Sequence, residues 1–305
     1  MLILRSLEEL SGIRTPVVMA VGVFDGVHLG HQRVIGLCRE AAAREQAQPW
    51  VMTFDPHPLY VVQPATAPLL LTSLPAKLDL LTRQNVAGVM VVPFTETFSR
   101  LEPETFLDDL MRRIPALRGI VIGENWRFGR QARGNVALLK TLATQYGFHV
   151  QVATPLTWGD QTVSSSRIRE AVASGRLDDA AAMLGRPHAV RGQVIHGLKR
   201  GRRLGFPTAN LDLRGCALPP PGIYAARVRH ASRTHAGAVY LPMHPEPQHG
   251  TLEVHLIDFN GDLYGQELEL DFAAKIRDDT LRFPNEADLI EQIRSDVRRI
   301  REILA

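Results

Sequence analysis

Residues 21–32 read VGVFDGVHLGHQ and stand between an apolar run, Val17–Phe24, and a helical pattern from about His31 to Glu45. A strand, a glycine-rich turn and a helix in this order predict one βα unit. The glycines let the backbone turn tightly and approach a ligand closely. The helix start offers free N–H groups and a positive dipole end to a phosphate. His28 and His31 add two imidazole donors, which suits attack on the α-phosphate of a nucleotide with pyrophosphate leaving.

The alternation of strand and helix patterns continues through the first half of the chain. Further strands are predicted at Trp50–Phe54, Val86–Val92, Gly119–Gly123 and His149–Ala153. Helices are predicted at Pro75–Gln84, Pro103–Arg113 and Asn135–Tyr146. Such alternation favours an α/β fold with a parallel sheet, in which ligands bind beyond the carboxyl ends of the strands. We therefore expect the site in the loops after the first, second and fourth of these strands.

The pattern changes after two short predicted helices, Arg167–Ser174 and Leu177–Leu184. Beyond Gly185, apolar residues alternate in four segments, at 189–194, 224–228, 251–259 and 267–272. Alternation with frequent glycine and proline predicts a small antiparallel β-barrel. Glu286–Leu304 then reads as an amphipathic helix. We predict two domains, residues 1–184 and 185–305.

The composition is that of a globular protein. Of 305 residues, 45% are hydrophobic and 22% are charged, and the formal net charge is +3. That charge is too small to point to nucleic acid. Two cysteines build no disulfide framework, and no apolar run reaches the length of a membrane span. The N-terminus, MLILRSLEEL, has the reverse order of a signal peptide, so we expect a cytoplasmic protein without membrane or nucleic-acid partners.

The motif HxGH after a strand resembles the class I nucleotidylyltransferases. The longer string GVFDGVHLGHQ is similar to the adenylyltransferase module of the bifunctional riboflavin kinase/FAD synthetase family. Further matches follow in order: TFDPHP at 53–58, LTS with Lys77 at 71–77, FSRLEPETF at 98–106, GENWRFG at 123–129 and VSSSRIR at 163–169. Trp126 and Ser166 replace the usual Phe and Thr. The implied fold is a Rossmann-like α/β parallel-sheet nucleotidylyltransferase domain of the HxGH class, followed by a small antiparallel β-barrel with a C-terminal helix.

The resemblance implies roles for residues of the first domain. His28 and His31 would be catalytic and would stabilise the ATP phosphates. The implied ATP-binding residues are Gly22, Phe24, Asp25, Gly26, Asn125, Ser164, Ser165, Ser166, Arg167 and Arg169. The implied flavin-binding candidates are Phe54, Pro56, His57, Pro58 and Phe128. The two phenylalanines fit a plain core position equally well.

A second set of motifs resembles the riboflavin kinase module of the same family. The segment GRRLGFPTAN at 201–210 is similar to the GxPTAN motif, which holds Mg²⁺ and ATP, and LEVHLIDF at 252–259 is similar to the LEVHLLDF strand. The implied kinase residues are Gly201, Gly205, Pro207, Thr208 and Asn210, with Thr208 and Asn210 as the Mg²⁺ ligands. Glu253 would be the general base that accepts the proton of the riboflavin 5′-hydroxyl.

The stretch 238–247, AVYLPMHPEP, departs from the family, which carries A-N-x-G-x-[RK]-P-T shortly before the LEVHL strand. The expected function is phosphorylation of riboflavin to FMN and adenylylation of FMN to FAD, with Mg²⁺ and ATP at both steps. A monofunctional FAD synthetase with an impaired kinase module, a non-catalytic flavin-binding regulator and a nucleotidylyltransferase with another acceptor stay open as alternatives. Riboflavin, FMN and ATP are the expected ligands, and a homo-oligomer is left open.

Overall fold

The computed structural model describes residues 1–198, 200–244, 251–280 and 283–305. The chain divides into two compact units, Met1–Pro68 with Leu74–Ser164 and Leu69–Ser73 with Ser165–Ala305. The domains predicted from sequence put residues 165–184 in the first half, whereas they cluster here with the second. Leu177 gives one physical reason, because its side chain belongs to the barrel core of the second unit. The limits 1–184 and 185–305 stay a prediction.

The first unit is built on a parallel sheet. The sheet strands in the described residues are β1 (Leu2–Leu4), β2 (Val17–Val21), β3 (Gln48–Asp55), β4 (Gly88–Pro93), β5 (Leu117–Gly123) and β6 (His149–Ala153). Their order across the sheet is β1-β4-β3-β2-β5-β6, and every neighbouring pair is parallel. The predicted parallel α/β class is therefore confirmed.

Both faces of this sheet are covered. All five residues of β2 are buried, and they alternate between two hydrophobic cores. Met19 belongs to the core on one face, while Val18 and Ala20 belong to the core on the other. A strand buried on both faces reads as a continuous apolar run, and this explains the composition of Val17–Val21.

Helices connect these strands. They are α1 (Leu29–Arg44), α2 (Pro58–Val62), α3 (Leu74–Thr82), α4 (Glu96–Ser99), α5 (Pro103–Arg113) and α6 (Val136–Tyr146). Short 3-10 turns occupy Leu7–Gly12, Pro64–Thr66 and Arg130–Ala132, and a small hairpin joins β7 (Thr157–Trp158) to β8 (Gln161–Thr162). Helix α1 begins at Leu29 because the Nδ1 atom of His28 caps it, accepting a hydrogen bond from the His31 N–H at 3.3 Å.

The second unit is a closed barrel preceded by two helices. Its elements are α7 (Ser165–Ala173), α8 (Leu177–Leu184), β9 (Ala189–Ile195), α9 (Arg200–Arg203), β10 (Ala209–Leu211), β11 (Gly222–His230), β12 (Arg233–Leu241), β13 (Leu252–Leu256), β14 (Glu267–Arg277) and α10 (Glu286–Leu304). Within the described ranges the strands close in the order β10-β13-β12-β11-β14-β9, and all neighbours are antiparallel. The predicted barrel and C-terminal helix are confirmed.

Helix α10 is fixed to the barrel by charged and apolar contacts. The Arg277 guanidinium donates from Nε to Asp296 Oδ2 at 3.0 Å, and Arg301 donates to both Asp258 oxygens at 2.6 and 2.7 Å. Ile300, on α10 itself, is fully buried. Among the helices described in the chain, none has both the length and the apolar character that a membrane span requires.

Candidate active sites

The turn between β2 and α1 has an unusual backbone. Phe24, Gly26 and Val27 have positive φ angles of 53°, 82° and 40°. This conformation is strained for Phe and Val, so surrounding contacts must hold it. Both side chains are 1% exposed, and their burial anchors the turn. The turn thereby presents His28 and the first N–H groups of α1 at the carboxyl edge of the sheet.

The two histidines predicted to be catalytic lie together at this turn. The rings of His28 and His31 stack with centroids 3.6 Å apart and an interplanar angle of 19°. The ring of Phe24 meets His31 edge-on at 5.2 Å. Gly30 allows this arrangement, because a Cβ at that position would lie 3.1 Å from the His28 ring. The site is therefore shaped by the glycine and the phenylalanine as much as by the imidazoles.

The imidazole of His31 is held in its neutral form. Burial, the neighbouring His28 and the charge of Lys77 together lower the pKa of His31 well below its usual 6.5. Its Nδ1 atom is buried and finds no hydrogen-bond partner in the described part of the chain. Buried polar atoms without partners are uncommon in folded proteins. Two stacked imidazoles at a helix N-terminus, with His31 neutral, are well suited to an oxygen-rich anionic ligand.

Beside this turn, the first unit contains an open pocket of about 980 Å³. Its aromatic wall consists of Phe54, Phe94, Phe98, Phe106, Trp126 and Phe128. Trp126 and Phe128 stack at 4.5 Å, and Phe54 meets Phe94 edge-on at 5.7 Å. Val23 also lines the pocket. Because Val23 directly precedes Phe24, the pocket borders the turn that carries the two histidines. A wide apolar cleft with stacked rings suits a flat, extended ring system.

Close backbone approaches hold Phe128 in this wall. The residue exchanges two backbone hydrogen bonds with Gly134, at 3.1 and 2.8 Å. A Cβ on Gly134 would lie 2.5 Å from the Phe128 ring, and one on Gly129 would lie 2.6 Å from Pro103. The FG pair at 128–129 is therefore needed for the shape of the loop.

The structure brings together only part of the predicted flavin set. Phe54, Pro58 and Phe128 line the aromatic pocket, whereas Pro56 and His57 are not among its lining residues. His57 instead caps α2, since its Nδ1 accepts a hydrogen bond from the Leu59 N–H at 3.2 Å. Asn125, which the resemblance assigned to ATP, also lines this pocket.

The motifs matched from the sequence include Lys77, Phe98, Phe106 and Trp126 but assigned them no role, and they do not include Phe94. Lys77 is buried, and its Nζ donates to Val23 O at 3.3 Å, Thr53 Oγ1 at 3.1 Å and Phe54 O at 3.2 Å. A signal for Phe94 was available. It directly follows β4 at the same carboxyl edge of the sheet as His28 and Phe54, and ligands bind along that edge.

The serine and arginine motif at 163–169 spans the division of the chain. Ser164 is the last residue of the first unit, and Ser165, Ser166, Arg167 and Arg169 belong to α7 in the second. The Arg169 guanidinium donates from Nε to Leu69 O at 2.6 Å within that unit. The role of these residues in phosphate binding stays a prediction.

The predicted kinase residues meet on neighbouring strands of the barrel. Asn210 on β10 is directly paired with Glu253 on β13, which is paired in turn with Tyr240 on β12. Thr208 donates from Oγ1 to Glu253 Oε2 at 2.8 Å. Asn210 is buried. A hydroxyl, a carboxamide and a carboxylate therefore converge on one face of the barrel wall.

The glycine-rich segment before this strand runs close to these side chains. A Cβ on Gly197 would lie 2.3–2.5 Å from the Asn210 carboxamide, and one on Gly201 would lie 2.4 Å from Phe206 O and 3.1 Å from Thr208 Oγ1. Next to Thr208 lies a pocket of about 310 Å³, lined also by Arg202, Pro207, Phe259 and Tyr264. Backbone and pocket together form a cleft around the hydroxyl of Thr208.

Comparisons with known proteins agree with this two-part arrangement. The family model for FAD synthetase matches residues 11–167, and that for riboflavin kinase matches residues 184–304. The bifunctional riboflavin kinase/FMN adenylyltransferase of Buchnera aphidicola subsp. Schizaphis graminum is 31% identical, covering 99% of this chain and 98% of the relative. The chain belongs to the bifunctional riboflavin kinase/FMN adenylyltransferase family.

Two further proteins are similar to this chain over nearly its whole length. The bifunctional riboflavin kinase/FMN adenylyltransferase of Listeria monocytogenes is 35% identical, covering 94% of this chain and 92% of the relative. A crystal structure titled macrolide-efflux protein from Streptococcus pneumoniae shares the fold with a TM-score of 0.84 and 26% identity, covering 99% of each chain. Because both modules of the family are present, a monofunctional enzyme or a non-catalytic regulator is not favoured.

The stretch that departs from the family lies partly in the barrel. Residues 238–241 complete β12, and residues 245–247 lie outside the described residues. Tyr240 stands opposite Glu253 and donates from its hydroxyl to Asp279 Oδ2 at 3.1 Å. The divergent sequence thus still contributes the tyrosine whose backbone is paired with the predicted base of this riboflavin kinase module.

Proposed function

We propose that the chain makes FMN from riboflavin and FAD from FMN at two separate ATP-dependent sites, one in each unit. The first uses the His28–His31 turn and the aromatic pocket, and the second uses Thr208, Asn210 and Glu253. The observation that carries the proposal is that each matched module contains its own pocket and its own cluster of polar side chains near it. Val23 lines the first pocket and precedes the histidine turn, and Thr208 lines the second pocket and bonds to Glu253. The family membership supports both activities.

In the first unit, adenylyl transfer needs positioning and stabilisation of negative charge, with no covalent enzyme intermediate. An oxygen of the FMN phosphate forms a bond to the α-phosphorus of ATP, and the bond from that phosphorus to the leaving pyrophosphate breaks. His28, His31 and the N–H groups that begin α1 would donate to the phosphate oxygens. The neutral state of His31 leaves it as a hydrogen-bond donor through one ring nitrogen.

Other residues would complete the ATP site. Gly22, Phe24, Asp25 and Gly26 form or flank the turn that carries the histidines. In the first unit, Asn125 and the Ser164 hydroxyl supply donor types that bind a triphosphate. The resemblance alone assigns Ser165, Ser166, Arg167 and Arg169 to ATP. These roles rest on the family resemblance.

We assign the flavin of FMN to the aromatic pocket. The isoalloxazine ring is flat and extended, and stacking against Trp126 and Phe128 would bury it. Phe54 and Val23 connect this pocket to the histidine turn, so the phosphate end of FMN would point towards that turn. Pro56 and His57 would support the wall from outside, since His57 caps the helix that contributes Pro58 and Leu59.

In the second unit, Glu253 is the proposed proton acceptor. The 5′-hydroxyl oxygen of riboflavin bonds to the γ-phosphorus of ATP, its proton passes to the carboxylate, and ADP leaves. Thr208 donates to Oε2 of Glu253, which fixes the carboxylate and leaves Oε1 for the proton. Gly201, Gly205 and Pro207 would shape the backbone around the phosphates beside the pocket at Thr208.

Thr208 and Asn210 fit a Mg²⁺ ion by chemistry. Mg²⁺ takes a few hard oxygen ligands from protein and the rest from phosphate and water. Because the Thr208 hydroxyl donates its hydrogen to Glu253, its oxygen lone pairs are available, and the Asn210 carboxamide adds a second oxygen. When bound, the ion would neutralise charge on the phosphates.

The proposal is tested by incubating the purified chain with Mg-ATP and either riboflavin or FMN, and separating the flavins by chromatography. We expect FMN and FAD from riboflavin, and FAD from FMN. FAD from FMN with no product from riboflavin would leave only the first activity, and no FAD from FMN would refute the central assignment.

Two substitutions test the assignment of the two sites. His31→Ala should abolish FAD formation and leave riboflavin phosphorylation, while Glu253→Gln should do the reverse. A general base contributes about 10²–10⁴-fold in rate, so unchanged FMN formation in Glu253→Gln would remove Glu253 from this role.

We also propose a cytoplasmic enzyme, supported by its bacterial relatives. Fractionation of cells that express the chain would test the location. Light scattering of the purified chain would decide between a monomer and a homo-oligomer.

A further inference from the structure

Lys77 occupies an unusual place for a lysine. It lies on α3, it is buried, and its Nζ makes three hydrogen bonds, to Val23 O, Thr53 Oγ1 and Phe54 O. Lysine is almost never buried unless its charge is paired or hydrogen-bonded. These three hydrogen bonds compensate for the burial of the ammonium group and fix its position between the two strand ends.

The three acceptors join two parts of the proposed adenylylation site. Val23 directly precedes the turn that carries His28, and Phe54 belongs to the aromatic wall. Thr53 is fully buried and donates from Oγ1 to Val23 O at 2.8 Å, so the hydroxyl and the ammonium share one acceptor. The ends of β2 and β3 are therefore linked through Lys77.

The ammonium interacts electrostatically with two carboxylates and with one of the histidines. Asp25 and Asp55 favour its charged form and oppose the effect of burial, which lowers the pKa of Lys77. In turn, the charge of Lys77 acts with burial and His28 to lower the pKa of His31. Lys77 thus influences the protonation of the imidazole as well as the geometry of the two strand ends.

We propose that Lys77 is a positioning residue for adenylyl transfer, which sets the distance between the histidine turn and the flavin wall. This inference rests on the proposed function of His28 and His31. Lys77 would touch neither substrate. Its ammonium acts through Val23 O on the turn and through Phe54 O on the wall. If the ammonium is removed, we expect both substrates still to bind but their reacting atoms to be misaligned.

The test compares Lys77→Met, which removes the charge and the donors, with Lys77→Arg, which keeps the charge. Lys140→Met is the matched control, because Lys140 is exposed on α6 of the same unit. A misplacement of about 1 Å lowers rates by about 10²-fold. We therefore expect the kcat for FAD formation to fall about 30–100-fold in Lys77→Met, with little change in either KM. Lys77→Arg should recover part of the loss, and Lys140→Met should match the wild type.

A readout independent of catalysis is the titration of His31 by nuclear magnetic resonance in ¹⁵N-histidine-labelled protein. Removal of a nearby positive charge stabilises the imidazolium, so the pKa of His31 should rise towards 6.5 in Lys77→Met. A Lys77 ammonium that lay away from the histidine turn would leave this titration unchanged. A kcat within twofold of the wild type, or an unchanged His31 titration in a folded Lys77→Met protein, overturns the inference.

If Lys77→Met unfolds the first unit, Thr53→Val decides. This variant keeps the shape and removes one of the three acceptors of Lys77 together with the hydroxyl's own bond to Val23 O. The kcat should therefore fall, by less than in Lys77→Met, and a wild-type kcat overturns the inference. Failure of the proposed function is separate, since it would appear as normal FAD formation in His31→Ala or none in the wild type.

Discussion

Gly197→Ala should inactivate riboflavin phosphorylation without unfolding the barrel. The new Cβ would lie 2.3 Å from Asn210 Nδ2, while ordinary contacts begin at 3.4 Å, so the carboxamide must move by about 1.1 Å. The Asn210 side chain can rotate away at little cost in stability, but its oxygen then leaves the position proposed for Mg²⁺. A misplacement of about 1 Å costs about 10²-fold in rate, which corresponds to about 2.7 kcal/mol of barrier.

The assay measures both activities in one preparation. FMN formation from riboflavin should fall about 100-fold, and FAD formation from FMN should stay at the wild-type rate, because Gly197 and the histidine turn belong to different units. Gly36→Ala is the control, since a Cβ there meets nothing within 4 Å, and both rates should be unchanged. A wild-type kcat for riboflavin in Gly197→Ala would refute the assignment of Asn210.

Three further outcomes are expected. Trp126→Ala removes the ring that stacks on Phe128 at 4.5 Å, and the KM for FMN should rise about tenfold, since an aromatic pair contributes about 0.5–1.5 kcal/mol beyond burial; an unchanged KM would exclude Trp126 from the flavin site. Asp296→Ala leaves the Arg277 guanidinium, which is 18% exposed, without its carboxylate partner. The free energy of unfolding, measured by urea titration with circular dichroism, should fall by about 3 kcal/mol. An unchanged free energy would show that the ion pair adds no stability. The pKa of His31 lies below its ordinary 6.5, so on acidification the unfolded state binds a proton at this residue before the folded state does. The free energy of unfolding therefore falls as the pH drops below about 6.5. His31→Gln should lessen this loss of stability between pH values of about 7.5 and 5.5, and equal losses in the variant and the wild type would contradict the reasoning.

The parallel sheet was predictable because its strands are buried on both faces. Val17–Val21 and Gly88–Pro93 are continuous apolar segments bounded by turn residues, and that pattern identifies a buried parallel strand. Strand β1 was missed because it has three residues at the edge, two of them exposed. Strand β12 was missed because its centre, Ala236, Gly237 and Ala238, consists of small residues with weak β-propensity. Its backbone pairing with β11 and β13 makes it a strand.

The chemistry of the candidate sites was predictable only where the residues are close in sequence. The histidine pair is separated by three positions at one turn, so local structure brings it together. The hydrogen bond from Thr208 to Glu253 joins residues 45 positions apart and depends on the register of β10 on β13. Lys77 reaches Val23 O across 54 positions. A motif can mark such residues, but only the fold supplies their contacts.

The separation of the two sites has a consequence for how the activities are coupled. In the described residues, the cores that support the histidine turn belong to the first unit, and the core beneath Asn210 and Glu253 belongs to the second. A substitution in one core therefore lowers one activity first. Because FMN is the product of the second site and the substrate of the first, a kinase variant should fail to make FAD from riboflavin but still make it from added FMN. The two activities are then linked through the concentration of FMN, even though each reaction takes place at its own site.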